Sequence, residues 1–446
     1  MQKQTDRTEG DVNASPLRDH WLDECVSPEA RALLDEDSRY FLHQSLSTPC
    51  LNALESCGGS LIRDVDGREY LDFHGNSVHQ VGYGNPRVIE ALKRQLETLP
   101  FCPRRYTNET AVTLARRLAQ LAPGNLNKVL LAPAGALAVS MALKLARVAT
   151  GRFKTVSFWG AFHGATLDTI SVGGEAMFRS GIGPLLPGAI HVPPPEDCRG
   201  DESALSNVDQ IECVMEHEGD IAAVVAEPIR CTDVTRPGGA YWRRVRELCD
   251  RHGALLIFDE VPTCLGRTGR MFACEHYGVV PDILCMGKGL GGGVMPMAAV
   301  IARGDLDAAQ AYSLGHFTHE KSPMGCAAAL ATLDCIEEDG LVDRSRDLGA
   351  KLLLDLQALQ QKHACIREVR GIGLLAGMEL GADPATGRAA GDIAEQTRYA
   401  CLRRGLSFKV SGGRVLTLAP PLTITHEELD RAVSIVDASL GEVLAQ

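Results

Sequence analysis

The sequence predicts an α/β protein: a large domain with a mostly parallel sheet, and a smaller α+β domain formed by the N- and C-terminal parts of the chain. Short apolar runs alternate with helical stretches between residues 128 and 302, the pattern of a parallel sheet covered on both faces. The uncharged run Ala254–Phe258 ends abruptly at Asp259, which is typical of a strand buried on both faces. The length of 446 residues favours two domains.

Changes in pattern along the chain divide it into four segments. The opening residues are polar and lack hydrophobic periodicity, so we expect a mobile tail there. The strand and helix alternation then separates a large central domain from two flanking parts of a small domain. The predicted segments are a tail at 1–20, the first part of the small domain at 21–85, the large domain at 86–325 and the second part of the small domain at 326–446.

The predicted elements ahead of the large sheet are a hairpin and two helices. Gly58–Phe73 alternates apolar and polar residues around the turn dipeptide Asp66-Gly67, which indicates a hairpin. A helix is predicted over 86–96. A second follows over 111–121, where apolar residues repeat at helical spacing and Thr107 or Asn108 is the expected N-cap.

Six strands are predicted in the large domain, with a helix beginning at Gly135 directly after the first of them. In the C-terminal part, Thr425 and Glu428 have the spacing of a capping box that opens the last helix. The predicted strands are Lys128–Leu131, Thr155–Phe158, Ile221–Ala226, Ala254–Phe258, Asp282–Met286 and Met297–Ala302.

Composition excludes several classes of function. A net charge of −12 argues against a nucleic-acid partner, because phosphate binding needs the opposite sign. Fifteen cysteines are scattered without zinc spacing, and the sequence does not begin with a signal-peptide pattern, so we expect no metal site and a reducing cytoplasm. No apolar run approaches membrane-spanning length, so no membrane partner is expected.

Two residues point to pyridoxal phosphate chemistry. Asp259 ends one apolar run, and Lys288 follows another within the glycine-rich stretch 287–293. Carboxyl ends of parallel strands are where α/β sheets bind ligands. Pyridoxal phosphate needs a lysine amine to bond its aldehyde and a carboxylate to keep its ring nitrogen protonated. Each residue alone has an ordinary reading, as a solvated loop lysine and a turn carboxylate; together, after two buried strands, they predict Asp259 and Lys288 as catalytic residues.

The segment 254–293 resembles the signature of the class III, or omega, aminotransferases, a family of fold-type I pyridoxal phosphate enzymes, and the likeness extends from about Gly58 to Leu422. The resemblance implies the fold-type I transferase fold, pyridoxal 5'-phosphate as cofactor, a small-molecule amine substrate and a homodimer with composite active sites. It also assigns positions to bind the cofactor, in addition to Asp259 and Lys288. These are Gly135, Ala136, Phe162, His163, Glu227, Val261 and Thr318.

Three of these assignments carry specific expectations. Phe162 and Val261 are expected to contact opposite faces of the cofactor ring, and Thr318 to reach the phosphate bound in the neighbouring subunit. The family's Ser-Gly-Thr/Ser-Glu turn is here Ala134 to Leu137, so backbone contacts to phosphate can persist while the hydroxyl contacts cannot. Pro262 replaces a glutamine that family members commonly direct at the cofactor.

The substrate positions depart most from the family. Many members bind a substrate α-carboxylate with an arginine where this chain has Thr417, and losing a bidentate guanidinium argues against an ordinary α-amino acid. A charged run, His319-Glu320-Lys321, replaces an aromatic residue and two glycines. If the nearby cations converge, they suit a phosphonate, because a dianion rewards several cations at once; the alternative is that the arginines are ordinary surface residues. The expected substrate-binding residues are His79, Arg105, Arg230, His319 and Lys321.

Within the family, this combination most resembles the bacterial ammonia-lyases that act on 1-hydroxy-2-aminoethylphosphonate. The resemblance implies a lyase that eliminates ammonia to give phosphonoacetaldehyde. Two alternatives stay open: an aminotransferase for an amine lacking an α-carboxylate, which would use Lys288 in the same way, and a non-catalytic regulatory protein with the same fold, against which the intact Asp259 and Lys288 argue.

Overall fold

The computed structural model describes residues 15–45, 47–195 and 201–445. The chain forms two units. The central unit contains Asn85–Cys231 and Thr235–Asp343, and the terminal unit contains the chain up to Gly84, Thr232–Val234 and the chain from Arg344 onward. No helix within the described ranges is both long enough and apolar enough to cross a lipid bilayer.

The central unit is built on a seven-stranded sheet in the order β4-β10-β9-β8-β7-β5-β6. Six strands run in one direction, and β10 is antiparallel to both of its neighbours. The mostly parallel α/β sheet expected from the sequence is therefore confirmed. The strands are β4 Leu126–Ala132, β5 Lys154–Phe158, β6 Ala189–Val192, β7 Ile221–Ala226, β8 Leu255–Asp259, β9 Ile283–Met286 and β10 Ala298–Arg303.

The middle of this sheet is buried on both faces, as continuous apolar runs predict. Every residue of β7, β8 and β9 is buried, and α5 packs one side of the core against them. Parallel strands share one carboxyl edge. That edge carries the turn before Gly135, Glu227 after β7, Asp259 at the end of β8 and Lys288 just beyond β9.

Eight helices and three-residue or four-residue 3₁₀ turns complete the described part of the central unit. The helices are α3 Pro86–Thr98, α4 Glu109–Leu121, α5 Gly135–Thr150, α6 Leu167–Val172, α7 Ala176–Arg179, α8 Asp201–Glu218, α9 Gly239–His252 and α10 Pro323–Glu338. The 3₁₀ turns in the described part of this unit are Ala273–His276, Lys288–Gly291 and Gly304–Leu306.

Helix α10 belongs to the central unit, so the unit ends at Asp343, later than the boundary at 325–326 expected from the sequence. Ion pairs fasten α10 to α3 and α4: Arg87 contacts Glu338 at 2.7 Å and also Asp339, and Arg117 contacts Asp334 at 2.9 Å and also Glu337. A change in sequence pattern at residue 325 therefore marks the start of a helix and not the end of the unit.

The terminal unit combines both ends of the chain in two four-stranded sheets, ordered β1-β2-β3-β13 and β11-β12-β15-β14. The hairpin expected around Asp66-Gly67 is formed by β2 and β3. The strands are β1 Leu54–Gly58, β2 Leu61–Asp64, β3 Glu69–Asp72, β11 Ile366–Gly371, β12 Ala376–Leu380, β13 Leu406–Ser407, β14 Lys409–Ser411 and β15 Val415–Leu418. The helices are α1 Pro16–Cys25, α2 Pro28–Tyr40, α11 Leu341–Lys362, whose first three residues belong to the central unit, α12 Ala390–Arg403 and α13 His426–Ala445, with a 3₁₀ turn at Gly75–Ser77.

The tail expected over residues 1–20 needs a correction. Residues 1–14 lie outside the described residues, but α1 begins at Pro16 and is capped by Ser15, whose side chain accepts from the Arg18 N–H. Arg18 and Trp21 are each only 3% exposed, and Trp21 packs in a cluster with Tyr399 and Leu402. A short polar helix has a weak sequence signal, and its stability comes from that packing.

Candidate active site

Asp259 anchors the site at the end of β8. It is 3% exposed, and both carboxylate oxygens have partners. The His163 Nδ1–H donates to Oδ2 at 2.8 Å, and the Val261 N–H donates to Oδ1 at 3.1 Å. A buried polar group is tolerated only when it is hydrogen-bonded, and these two bonds fix the carboxylate in place.

His163 is 2% exposed and lies inside the same cluster. Burial alone lowers its pKa, but the hydrogen bond and charge of Asp259, together with Glu227 and Glu175, outweigh burial and hold the pKa of His163 above its ordinary value. Its other ring nitrogen, Nε2, is buried and has no hydrogen-bond partner among the described residues. A buried polar atom without a partner points to a group that binds there.

Glu227 follows β7 directly. The Phe162 N–H donates to its Oε1 at 3.3 Å, and the Cys231 N–H donates to its Oε2 at 3.4 Å. Burial raises the pKa of Glu227, and the charge of Asp259 adds to the shift, whereas His163 opposes it. Glu227 therefore ties the Phe162 backbone to the end of the neighbouring strand and belongs to one electrostatic cluster with His163 and Asp259.

Arg230, which the sequence predicts as a substrate ligand, forms a hydrogen bond and an ion pair within the central unit. Its guanidinium donates to the Gly160 carbonyl at 2.6 Å and pairs with Glu175 at 3.4 Å. Glu175 is 2% exposed, so the pair is largely desolvated. These contacts hold the turn that precedes Phe162, which is a structural task for Arg230.

Lys288 lies just beyond β9, the strand next to β8. Asp259 pairs with Cys285 in the register of the two strands, so Lys288 follows three residues after that pair. Lys288 is half-buried, opens the 3₁₀ turn Lys288–Gly291, and adopts φ +47. A left-handed conformation costs a residue other than glycine about 1–2 kcal/mol, and such strain is typical of functional positions.

Val261 lies between the lysine turn and the start of α5. A Cβ atom added at Gly135 would come 2.9 Å from Val261 Cγ1, and one added at Gly287 would come 3.3 Å from the same atom. On the other side of the turn, a Cβ at Gly164 would come 2.4 Å from the Ala136 Cβ. These close approaches bring the α5 turn, the loop 162–164 and the lysine turn together.

The N-terminus of α5 has the features of an anion-binding site. Its cap residue, Ala134, makes no side-chain cap hydrogen bond, so the first backbone N–H groups of the helix have no partner from that side chain. Free N–H groups and the helix dipole together favour a phosphate. The absence of serine or threonine at Ala134 and Ala136 leaves this contact entirely to the backbone.

Together these residues fit pyridoxal phosphate. The central unit places an amine, a buried carboxylate oriented by a histidine, an unpartnered imidazole nitrogen and an uncapped helix N-terminus at one sheet edge. Phe162, half-buried, packs its ring 4.7 Å from Phe178 and supplies an aromatic surface beside the cluster. The predicted residues gathered here are Gly135, Ala136, Phe162, His163, Glu227, Asp259, Val261 and Lys288.

A second group of predicted residues lies on two loops of the central unit. Arg105, Thr318, His319 and Lys321 are all exposed. The His319 ring lies 5.2 Å from the Phe101 ring, and the Asn108 side chain donates to the Lys321 carbonyl at 3.1 Å. Within the described ranges, none of the four forms a hydrogen bond or ion pair with the Asp259 cluster through its side chain.

His79 and Thr417 belong to the terminal unit. His79 is fully buried, its Nε2 lies 3.1 Å from the Asp72 carbonyl, and its ring lies 5.1 Å from the Tyr83 ring. Thr417, on β15, is 5% exposed; its hydroxyl donates to the Thr232 carbonyl at 2.8 Å and lies 3.1 Å from Ser411 Oγ. The neighbouring strand β14 places the buried Lys409 directly opposite Thr417.

Three buried charged residues of the two units are not predicted by any pattern in the sequence. Glu175 has no local signal, because it follows two glycines in a loop. Lys409 lies in a strand too short for a pattern. Glu260 is fully buried and accepts from the Ala273 and Cys274 N–H groups at 2.5 and 2.8 Å, and no local pattern predicts these bonds, because the donors lie 13 and 14 residues later in the chain.

Comparison with known proteins agrees with this chemistry. The model of the family "Aminotransferase class-III" matches residues 44–440. The chain is 47% identical to the (R)-1-hydroxy-2-aminoethylphosphonate ammonia-lyase of Vibrio splendidus, covering 98% of this chain and 95% of that protein. It is 39% identical to an acetylornithine aminotransferase of Methanopyrus kandleri, covering 84% and 91%.

Solved structures show the same relation. An (S)-enantioselective omega-transaminase from Thermomicrobium roseum superposes with a TM-score of 0.86 at 31% identity, covering 93% of this chain and 99% of that one. An amine transaminase from an uncultivated Pseudomonas species, in its pyridoxal-phosphate-bound form, gives 0.82 at 32% identity, covering 90% and 98%. The chain therefore belongs to the class III aminotransferase family and is a pyridoxal-phosphate-dependent enzyme of fold type I.

Proposed function

We propose that the enzyme is an ammonia-lyase that converts 1-hydroxy-2-aminoethylphosphonate to phosphonoacetaldehyde and ammonia. The observation that carries the proposal is Thr417. The position at which the family resemblance expects a carboxylate-binding arginine holds a buried hydroxyl already bonded to Thr232 and Ser411. A short hydroxyl cannot replace a bidentate guanidinium, which argues against a substrate with an α-carboxylate.

Other residues of the chain supply positive charge in place of the missing arginine. Arg105 and Lys321 are exposed on two loops of the central unit. A lysine binds phosphate groups as a point charge, and a dianion is stabilised by several cations. The 47% identity to a lyase named for an aminophosphonate supports the same class of substrate.

Each residue of the Asp259 cluster has a task in this proposal. Bound pyridoxal phosphate supplies a carbonyl that captures the substrate amine and a ring that takes up negative charge. Asp259, oriented by His163, would hold the proton on the cofactor's ring nitrogen. The α5 N–H groups at Gly135 and Ala136 would bind the phosphate, and Phe162 and Val261 would contact the ring.

Lys288 moves the proton that starts the elimination. Its amine removes a proton from the amine-bearing carbon, and the hydroxyl on the adjacent carbon leaves as water after taking up a proton. The resulting enamine of the substrate gains a proton at carbon and is hydrolysed by one water, which releases ammonia and phosphonoacetaldehyde. One water leaves and one enters, so the overall reaction needs no oxidant and no second substrate.

We further propose that the enzyme works as a homodimer with composite sites in a reducing cytoplasm. Thr318 is exposed on a loop of the central unit, as a residue directed at a neighbouring subunit must be. All fourteen cysteines among the described residues are free thiols, which suits a reducing compartment.

The second candidate, an aminotransferase for an amine lacking an α-carboxylate, shares Lys288 and Asp259 and is supported by the many aminotransferases among the relatives. The fate of the cofactor separates the two. We expect purified enzyme to release ammonia from 1-hydroxy-2-aminoethylphosphonate with no keto acid present, and the cofactor spectrum to return unchanged after a single turnover. Stoichiometric accumulation of pyridoxamine phosphate, with activity only after pyruvate is added, would instead establish the aminotransferase. Lys288→Ala protein is the negative control.

A further inference from the structure

Asn108 uses one side-chain amide for two bonds. It precedes α4 and is 7% exposed. Its Oδ1 accepts from the Ala111 N–H at 2.9 Å, which caps the helix, and its Nδ2 donates to the Lys321 carbonyl at 3.1 Å. Aspartate and serine cap a helix as well as asparagine does. The second bond favours the amide, because an aspartate carboxylate has no donor and a serine has one short hydroxyl for both bonds, whereas asparagine carries its donor and its acceptor on separate atoms.

The loop that Asn108 ends presents two arginines. The Tyr106 N–H donates to the Pro103 carbonyl at 2.8 Å, so Arg104 and Arg105 occupy the two central positions of a turn. The buried Cys102 thiol braces this turn through contacts to the Pro103 and Tyr106 carbonyls at 3.7 and 3.6 Å. Both arginines are exposed, and three residues reach at most about 11 Å, so Arg105 stays near Asn108.

The facing loop is equally well defined. The Glu320 side chain accepts from the His316 N–H at 3.2 Å, and the Ser322 side chain caps α10 by accepting from the Gly325 N–H at 3.3 Å. His316 adopts φ +74. Lys321 lies between these two fixed points with its side chain exposed, and the ring contact of His319 with Phe101 adds a second tie between the loops.

Three cations on the two loops have no carboxylate partner in the part of the chain that the structure describes. Among the described residues, Arg104, Arg105 and Lys321 form no ion pair. Elsewhere in the same unit, Arg87 and Arg117 each hold two carboxylates. In a chain of net charge −12, three unpaired cations on two joined loops are a local concentration of positive charge, which favours an anion.

We infer that Asn108 is a positioning residue that sets the spacing between Lys321 and the Arg104–Arg105 turn, and thereby determines affinity for the phosphonate group of the substrate. The inference rests on the proposed substrate class and deepens it. Without the amide bond, each loop keeps its own turn and cap, but the cations are no longer held at one distance. Affinity for a dianion then falls, because the cations no longer bind it simultaneously.

The test compares Asn108→Ser and Asn108→Asp with wild-type holoenzyme. Both variants keep the helix cap and lose the amide donor, and only the second adds a charge. Asn85→Asp is the matched control, because Asn85 caps α3 in the same unit through its side-chain oxygen, which accepts from the Arg87 N–H at 3.0 Å. Methylphosphonate, a dianion without an amine, is the probe for calorimetric binding, and ethanolamine, an amine without a phosphonate, is the comparison ligand.

We expect Asn108→Ser to weaken methylphosphonate binding about three- to tenfold, the worth of one lost hydrogen bond, with ethanolamine binding and thermal midpoint unchanged. KM for 1-hydroxy-2-aminoethylphosphonate should rise by the same factor with kcat retained, and Asn85→Asp should match wild type. Wild-type methylphosphonate affinity in both Asn108 variants, or an equal loss for both ligands, would overturn the inference. Methylphosphonate binding needs no turnover, so failure of the lyase reaction itself would be seen separately, as an absence of ammonia from wild-type enzyme.

Discussion

Replacing Asp259 by asparagine tests the central electrostatic device of the site. The substitution keeps the shape and leaves a side-chain oxygen that can still accept from His163 or Val261, but it removes the charge. His163 then loses the main partner that holds its pKa above the ordinary value, so burial should leave the imidazole neutral. The carboxylate that we propose keeps a proton on the cofactor's ring nitrogen is lost at the same time.

The expected loss of kcat follows from the hydrogen bond between His163 and Asp259. The bond from His163 to Asp259 is 2.8 Å long, and both residues are 3% exposed or less. A charge-assisted hydrogen bond is worth about 1.5–3 kcal/mol, and about 1.4 kcal/mol corresponds to a tenfold change in rate. We therefore expect kcat for ammonia release to fall by at least one to two orders of magnitude, while some cofactor remains bound.

Glu260→Gln is the matched control, because Glu260 is the adjacent buried carboxylate but bonds to the Ala273 and Cys274 backbone. Steady-state ammonia release, the visible spectrum of bound cofactor and thermal unfolding should be measured for both variants. The control should keep the wild-type spectrum and kcat. An Asp259→Asn enzyme with wild-type kcat and an unshifted spectrum would refute the role assigned to this carboxylate.

Two further predictions concern assembly and pH. Lys288→Ala and Thr318→Val chains should each have reduced ammonia release when assayed alone. If Thr318 serves the neighbouring subunit, mixing the two chains after mild dissociation should partly restore ammonia release. A mixture no more active than its parents, or an active monomer in light scattering, would contradict the composite site. Burial raises the pKa of Glu260 to about 7, against the Ala273 and Cys274 N–H groups, which lower it. A carboxyl with a raised folded pKa contributes stability below its unfolded pKa, and that contribution is lost as pH rises through about 7, on the order of 3 kcal/mol in total. The thermal midpoint of wild type should therefore fall between pH 5 and 8 more steeply than that of Glu260→Gln, and equal slopes would show that Glu260 does not titrate in this range.

Local patterns in the sequence predicted the parts of the fold that depend on neighbouring residues. The capping box of the last helix is present, with the Thr425 N–H donating to Glu428 at 2.9 Å and the Glu428 N–H donating to the Thr425 hydroxyl at 3.1 Å. Of the two caps expected for α4, Asn108 is the one used. Asp259 and Lys288 were identified because each directly follows a buried apolar run, and strand register then brings their turns to one edge.

Features set by distant residues could not be predicted in the same way. Nothing within Ala298–Arg303 indicates that β10 runs antiparallel between β4 and β9, because direction depends on the path of the connection. The contacts of Arg230 to Gly160 and Glu175 could not be predicted from the local sequence either, because these residues lie 70 and 55 positions away in the chain. The boundary of the central unit depended likewise on ion pairs between α10 and helices more than 200 residues earlier.

The position of β10 also has a consequence for how the enzyme is made. Strand β4 ends at residue 132, and its one neighbour among the described strands begins at residue 298. During synthesis both edges of β4 therefore remain unpaired until the ribosome has made the other strands of the sheet. Unpaired apolar strands are prone to pair with other chains. Because α5 and the turn that we propose binds phosphate continue directly from β4, the proposed cofactor site is completed late in translation, when Lys288 and β10 emerge almost together.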